Sequence, residues 1–495
     1  MTDEAPFRPR ARAPRGFQDR RAGVLRAERA ILTAVAGVYE SYGFEVLETG
    51  AFEYADALGK FLPDADRPNE GVFALQDDDE QWMALRYDLT APLARFVAEN
   101  WEGLAKPFRR YAFGTVWRNE KPGPGRYREF VQCDADTVGS SRPEADAEII
   151  AMAVAGYAAA GLESDAYELK INNRKLLNGL LTAAGVEDAG QKMAVLRAVD
   201  KLDRLGPAGV TALLGVGRKD DSGAFTKGAQ LKSAAIDSVL AFVEAARGTR
   251  TATLDRLANV IGGSAEGDEG LAELSAIGAA LSGMGVSESQ ALFDPSVVRG
   301  LEYYTGAVFE AELKAQVLDE AGEVVRFGSI GGGGRYDDLV ARFTGASVPA
   351  TGFSFGVSRL AAALAANGAA SGRGLEAQAR GPVVINAFDA KDMGEYFAAA
   401  AELRAAGLAA EVYLGSSGMR PQMKYADRRL APAAVILGGD EIAAGTVTIK
   451  DLDLGRELSA GVTDNKEWRE GRPGQVTVPR AELASTVRKI VEASR

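Results

Sequence analysis

The chain of 495 residues is 46% hydrophobic and 25% charged, the balance of a globular protein with material for about two to four domains. Lys+Arg 57 against Asp+Glu 69 gives a net charge of -12, which argues against a globally basic nucleic-acid binder and leaves only local patches to grip phosphates. A single cysteine, Cys133, and a histidine count of 0 exclude intramolecular disulfides, Ser-His-Asp and Cys-His catalysis and histidine-ligated zinc, so any chemistry runs on carboxylates, Arg, Lys, Tyr or the substrate.

The apolar residues Val24, Leu25, Ile31, Leu32, Val35 and Val38 recur at helical spacing and predict an amphipathic helix over 21–42, stopped by Gly43 and followed by a strand over 44–47. Further strands are predicted at 82–86, 109–117 and 128–137, the last two flanking the turn-forming loop Pro122-Gly123-Pro124-Gly125. An Ala-rich helix over 145–161 comes next. From about 170 to 289 the pattern becomes helical and mixed in charge, with glycine breaks, as in an inserted helical module.

Strand character returns at 307–312 and 324–330, ahead of the glycine run Gly331–Gly334 and a helix over 356–366. The Gly- and Ser-containing stretch to about Arg380 reads as a linker. Beyond it, strands at 383–388, 410–414 and 433–437 alternate with helices at 391–406 and 420–430. An edge strand at 446–450 and a last helix at 480–494 complete a mostly parallel α/β domain. No apolar run reaches the roughly 18–20 residues of a membrane span, and the N-terminal stretch lacks the apolar core of a secretory signal, so a cytoplasmic protein with no membrane partner is expected.

Four stretches concentrate chemistry. The hairpin residues Arg118, Glu120, Arg126, Arg128 and Phe130 combine planar guanidinium forks with a ring on which a base can stack, although charge alone favours a solvated surface hairpin. Arg299-Gly300-Leu301-Glu302-Tyr303-Tyr304 is dense in polar groups for a plain loop, and Tyr rings packed on the core are an even alternative. The glycines at 331–334 allow close backbone approach, by a ligand or at a crowded sheet crossing, without the Gly-Lys-Ser/Thr of a phosphate loop. In 351–360 an apolar strand runs into a helix with Arg359 near its start. Several arginines, a few carboxylates and no nucleophile suit a polyphosphate substrate handled by electrostatic stabilisation.

Arg118-Asn119-Glu120 with Phe130 resembles motif 2 of the class II aminoacyl-tRNA synthetases, and Gly352–Arg359 resembles motif 3. LRYDLT (85–90), RGLEYYTG (299–306) and GGGRYDDLV (332–340) are similar to signatures of the histidyl-tRNA synthetase family, and the likeness spans nearly the whole chain. It implies an α+β fold: an antiparallel catalytic core over 1–168 and 290–366, a mainly helical insertion over 169–289, a linker at 367–380 and an anticodon-binding α/β domain over 381–495. The implied activity is histidine–tRNA ligation, in which L-histidine and ATP form histidyl-adenylate and pyrophosphate before transfer to the 3′ end of tRNA(His).

Residue by residue, the resemblance puts Arg118 at the ATP α-phosphate, Glu120 at the adenine amino group, Phe130 on the ring and Arg359 at the γ-phosphate, with Arg126 nearby. It puts Asp88 and Thr90 at the α-amino group of histidine, Gln132 at its carboxylate, and Asp136, Tyr303 and Tyr304 around the imidazole, with Tyr336 also in the histidine site. Arg299 would stabilise charge at the α-phosphorus, so Arg299 and Arg118 are the implied catalytic residues. Magnesium is expected to come with ATP, no zinc is expected on the protein, and a homodimer is implied. Contacts with tRNA are expected from Arg128 and from Arg420, Lys424 and Arg428, which share one helical face. A non-catalytic, histidine-binding regulator of histidine biosynthesis is the competing reading. A class II synthetase for another amino acid is disfavoured by RGLEYY.

Overall fold

Eight strands make the main sheet of the first part of the chain: Glu45–Val46 (β1), Phe108–Trp117 (β2), Glu129–Val138 (β3), Tyr167–Asn173 (β4), Ala291–Phe293 (β5), Ala307–Leu313 (β6), Ser329–Arg335 (β7) and Ala350–Gly356 (β8). The computed structural model describes residues 8–58, 71–122, 127–219, 223–246, 248–261, 263–298, 300, 304–314, 317–318, 324–325, 328–371, 380–459 and 474–493. They fall into two compact units, divided along the chain between Ser371 and Gly372.

In space the strand order is β1-β2-β3-β8-β7-β6-β4-β5. The five pairings from β2 to β4 are antiparallel, as expected of the α+β core, while β1 on β2 and β5 on β4 are parallel. Strand alternation sorts β3 into two faces. Val131, Cys133 and Ala135 enter the main core with Phe353 and Phe355 of β8, under the helices Ala22–Ser41, Pro143–Ala159 and Val357–Ser371. Phe130, Gln132, Asp134 and Asp136 point to the other face. The helix Pro143–Ala159 starts with Pro at its first position and Glu144 and Asp146 in its first turn, which suits its dipole.

The four glycines lie inside β7, where a sheet former would be expected, because the sheet is crowded there. A Cβ on Gly333 would meet Phe309 Cε2 at 2.7 Å and Phe353 Cα at 2.8 Å, and one on Gly334 would meet Tyr304 Cδ1 at 2.8 Å.

Several elements differ from the sequence expectation. Trp82–Leu85 is a strand, but it joins Phe52–Tyr54 and Ala74–Gln76 in a separate three-stranded sheet, a choice that alternation within one strand cannot reveal. The boundary expected at 169 falls inside β4; the inserted helices begin at Arg174 and run through Gly283, with one small hairpin, Gly217–Lys219 and Phe225–Lys227, among them. The helix after β8 continues to Ser371, since its alanines carry it past Asn367 and Gly368. Residues 372–379 of the expected linker lie outside the described residues.

In the second unit the sheet order is Ala410–Val412, Val383–Asn386, Ala433–Ile436, Thr446–Asp451, Gln475–Pro479. The first two pairings are parallel and the last two antiparallel, so Thr446–Asp451 is an interior strand rather than an edge, and Gln475–Pro479 is a strand the sequence reading passed over. Gln422, fully buried, ties this unit together through Asn386, both backbone groups of Ala387 and the Ser417 carbonyl.

Gly333→Ala is expected to lower the stability of the first unit by about 1–3 kcal/mol through overpacking against Phe309 and Phe353, read by denaturant unfolding. Unchanged stability would show that the sheet relaxes freely there.

Candidate active site

The β2–β3 hairpin builds one wall of the site. The Arg118 amide donates to the Arg128 carbonyl at 2.9 Å, its Nε donates to the Tyr87 carbonyl at 3.1 Å, and its guanidinium carbon stands 5.1 Å from the centre of the Phe130 ring. Backbone and ring thus hold the head group over an aromatic face. Glu120 is exposed at the end of the strand, and its carbonyl accepts from Arg128 Nε at 2.9 Å, so Arg128 braces the base of the loop. Across the sheet, the Arg359 guanidinium in the first turn of Val357–Ser371 donates to the Ser329 carbonyl. The neighbouring Ser358 fixes that turn: it donates to Glu28 at 2.6 Å and accepts from the Val131 amide at 3.0 Å, while Arg20 pairs with Glu28 at 2.8 Å.

The floor is acidic. Arg110 of β2, 1% exposed, forms an ion pair of 2.9 Å with Asp136 of β3 and donates to the Leu89 carbonyl at 2.8 Å. The Tyr336 hydroxyl donates to the other oxygen of Asp136. Gly352 sits opposite Asp136 in β8, where a Cβ would lie 2.6 Å from the Asp136 carboxyl carbon. Burial pushes the Asp136 carboxyl up while Arg110 and Tyr336 pull it back.

Asp88, two residues ahead of the helix Thr90–Asn100, accepts the amides of Thr90 and Ala91 at 3.1 and 2.9 Å and so satisfies two of the free amides of its first turn. Its carboxyl is likewise raised by burial. Gln132 donates to Ser354 Oγ at 2.7 Å and leaves its buried Oε1 without a hydrogen bond among the described residues. Burial first, then the charge of Asp136, raises Asp134 to about 7. One of its oxygens also lacks a partner among the described residues. The Tyr304 ring lies against Gly300 and Gly334, and burial holds its hydroxyl well above its ordinary value.

This arrangement offers guanidinium groups at one end and a shielded, acidic cradle at the other, as a phosphorylated nucleotide and a cationic small molecule would require. The family model for histidyl-tRNA synthetase matches residues 16–360, and that for the anticodon binding domain matches residues 382–490. The chain belongs to the histidyl-tRNA synthetase family. A histidine–tRNA ligase of Caulobacter vibrioides is 73% identical over 486 residues, covering 98% of this chain and 97% of the relative. One of Brucella suis is 54% identical, covering 100% and 98%. The solved histidyl-tRNA synthetase of Nostoc matches with a TM-score of 0.71 at 27% identity, covering 97% of this chain and 100% of that one.

Of the residues expected from the histidyl-tRNA synthetase resemblance, Arg118, Phe130, Gln132, Asp136, Tyr304, Tyr336, Asp88, Thr90 and Arg359 all belong to the first unit and line or border the elements above. Arg126, Arg299 and Tyr303 lie outside the described residues. Arg420, Lys424 and Arg428 are exposed on the helix Met419–Arg428 of the second unit, opposite its buried Gln422 and Ala426.

Sequence reasoning missed Arg110 and Asp134. Their signal was alternation: in Gln132-Cys133-Asp134-Ala135-Asp136 every second residue is polar, which puts Asp134 on the face of Asp136. Pairing then sets Arg110 directly across from Asp136.

Asp134 supplies a test by pH. Its unfolded value is near 3.9; folded, it is raised to about 7. Between those limits the folded chain binds the proton that the unfolded chain releases, so stability falls as pH rises from about 4 to about 7. Asp134→Asn removes this term, and its melting temperature relative to wild type should be more favourable at pH 8 than at pH 5. An offset independent of pH would show that Asp134 is ionised in the folded chain. Arg110→Met should lower stability by about 3–5 kcal/mol in chemical denaturation, because Asp136 is left buried without its counter-charge.

Proposed function

We propose that this chain ligates histidine to tRNA in two steps. The histidine carboxylate attacks the α-phosphorus of ATP, pyrophosphate leaves, and a ribose hydroxyl at the 3′ end of tRNA(His) then takes the acyl group from the adenylate as AMP departs. The observation that carries the reading is the presence in one chain of the synthetase match over 16–360 and the anticodon-binding match over 382–490. That pairing, with 73% identity to a ligase over nearly the full length, favours the ligase over the regulatory reading.

The nucleophile is already a carboxylate, so the first step needs position and charge neutralisation rather than a base, which fits a protein without histidine. Arg118 is proposed to bind the α-phosphate with the adenine stacked on Phe130 and held by Glu120, and Arg359 to hold the γ-phosphate. The support is their placement: Arg118 is locked over Phe130, and Arg359 is fixed in the first turn of its helix. Arg299 and Arg126 are proposed to add charge at the phosphates.

Asp88 and Thr90 are proposed to receive the α-amino group and Gln132 the carboxylate end, supported by its side-chain amide, which spends one N–H on Ser354 Oγ and has a second to donate. For the imidazole, Asp136 is the proposed acceptor, with Tyr303, Tyr304 and Tyr336 around it. An apolar isostere of histidine would offer Asp136 and the tyrosines around it no further hydrogen bond, which is the proposed basis for rejecting it.

Magnesium is proposed to arrive with ATP and to screen the phosphate charges. Among the described residues no group of three or more acidic or cysteine side chains is placed to hold a metal ion, and magnesium held by phosphate oxygens needs at most one or two carboxylates from the protein. A homodimer is proposed, supported by the exposed Phe52, Tyr54 and Trp82 of the small sheet and an adjoining groove of about 700 Å³. Among the described residues no helix is long and apolar enough to cross a membrane, in keeping with the proposed cytoplasmic location.

Amino-acid-dependent ATP–pyrophosphate exchange across the twenty amino acids tests the reading. Exchange with histidine alone is expected. Binding of histidine without exchange would replace the ligase with the regulator. For the second unit, Arg428→Glu should raise the KM for tRNA several-fold and leave histidine exchange unchanged; equal loss of both would remove the proposed tRNA contact.

A further inference from the structure

The family match begins at residue 16. Just before it runs Arg8-Pro9-Arg10-Ala11-Arg12-Ala13-Pro14-Arg15, with four arginines and no acid in a chain of net charge -12. All four arginines are exposed and make no ion pair among the described residues. Pro9 and Pro14 fix their own φ and keep Arg8 and Ala13 out of the helical region, and residues 8–14 accordingly form no helix or strand. Arg8, Arg10 and Arg12 recur at every second position. In an extended chain that is a repeat of roughly 7 Å, the scale on which a nucleic-acid strand presents successive phosphates.

The segment is anchored at its C-terminal end. The Phe17 amide closes a turn on the Pro14 carbonyl at 3.1 Å, and the Phe17 ring lies 5.7 Å from that of Phe73. Gly16 has φ +85, and a Cβ there would meet Arg128 Cδ at 2.8 Å, so only glycine fits. The Gly16 carbonyl accepts the Arg128 amide at 2.9 Å, and the Arg128 carbonyl accepts the Arg118 amide at 2.9 Å. Two backbone hydrogen bonds therefore connect the basic segment to the arginine beside the nucleotide ring site.

We infer that Arg8, Arg10 and Arg12 bind the phosphate backbone of tRNA near its acceptor end, a role that rests on the ligase reading above. The placement decides the ligand. The three side chains extend over about 14 Å of chain, longer than a triphosphate, and they start from the base of the hairpin to which the 3′ end must come. Because these contacts are charge on charge and exposed, they act on the affinity for tRNA and its salt dependence, and not on adenylate formation.

The test compares the wild-type enzyme with R8A/R10A/R12A and R8K/R10K/R12K, in tRNA charging over a range of salt concentrations and in histidine-dependent pyrophosphate exchange. The alanine variant should show a tRNA KM raised about tenfold. Its plot of log kcat/KM against log salt should be shallower by about two, since each phosphate contact contributes roughly 0.7–0.9. Its exchange kinetics should match wild type, and the lysine variant should recover most of the affinity. Unchanged tRNA KM and salt slope in the alanine variant would overturn the inference. A parallel rise in the ATP KM of exchange would reassign the segment to the nucleotide, and a lysine variant as defective as the alanine one would remove charge as the cause. Absence of charging by the wild-type enzyme would overturn the ligase reading and this inference together, whereas normal wild-type charging with an unaffected alanine variant strikes only the inference.

Discussion

One arginine among three carboxylates sets the terms for the site. Arg110 is almost wholly inside the protein, yet it pairs directly with Asp136 alone, while Asp88 and Asp134 stand in the same electrostatic neighbourhood. Buried carboxylates are tolerated only if they are paired, hydrogen-bonded or protonated, and each solution is present here. Asp136 has its arginine and the Tyr336 hydroxyl, Asp88 has two helix amides, and Asp134 is raised towards neutrality by its burial. The three carboxylates outnumber the one buried arginine among them, and the cationic occupant proposed above would bring the complementary charge.

The rest of the first unit keeps that balance in place. Gly352 gives Asp136 the space its carboxyl occupies, and β7 is reduced to glycines so that aromatic rings can close on both of its sides. On the opposite face of the sheet, the chain from Arg20 through Glu28 and Ser358 to the Val131 amide links the first helix, the last helix and the central strand. It thereby fixes the turn that carries Arg359. The polar residues of the site are held by backbone and side-chain partners on neighbouring elements, which is how a constellation spread over several strands stays in register.

Much of this was legible in the sequence. The long strands β2 and β3, the first helix, the helix Pro143–Ala159 and the inserted helices followed from apolar period and from Gly and Pro stops. Arg118, Phe130 and Arg359 were legible as site residues through their likeness to class II motifs, since charge alone favoured a solvated hairpin and a surface arginine. What stayed hidden depended on pairing. Whether Trp82–Leu85 joined the large sheet or a small one, whether Thr446–Asp451 was an edge, and which cation faced Asp136 are questions about neighbours far along the chain. Arg110 looked like one more charge in a strand until β2 and β3 were laid side by side. The helix running to Ser371 was misjudged for a local reason, since Asn-Gly is a turn signal that the surrounding alanines outweighed.

The central strand has a temporal consequence. β3 pairs on one side with β2, a few residues upstream, and on the other with β8, where Val138 meets Ala350. At synthesis rates of about 5–20 residues per second, the interval between those two residues leaving the ribosome is roughly 10–40 s. During it the β2–β3 hairpin has one unpaired edge and an apolar face without its last helix, while the inserted helices are able to form among themselves. The hairpin that carries Arg118 thus waits with its edge open until Ala350–Gly356 arrives to pair with it.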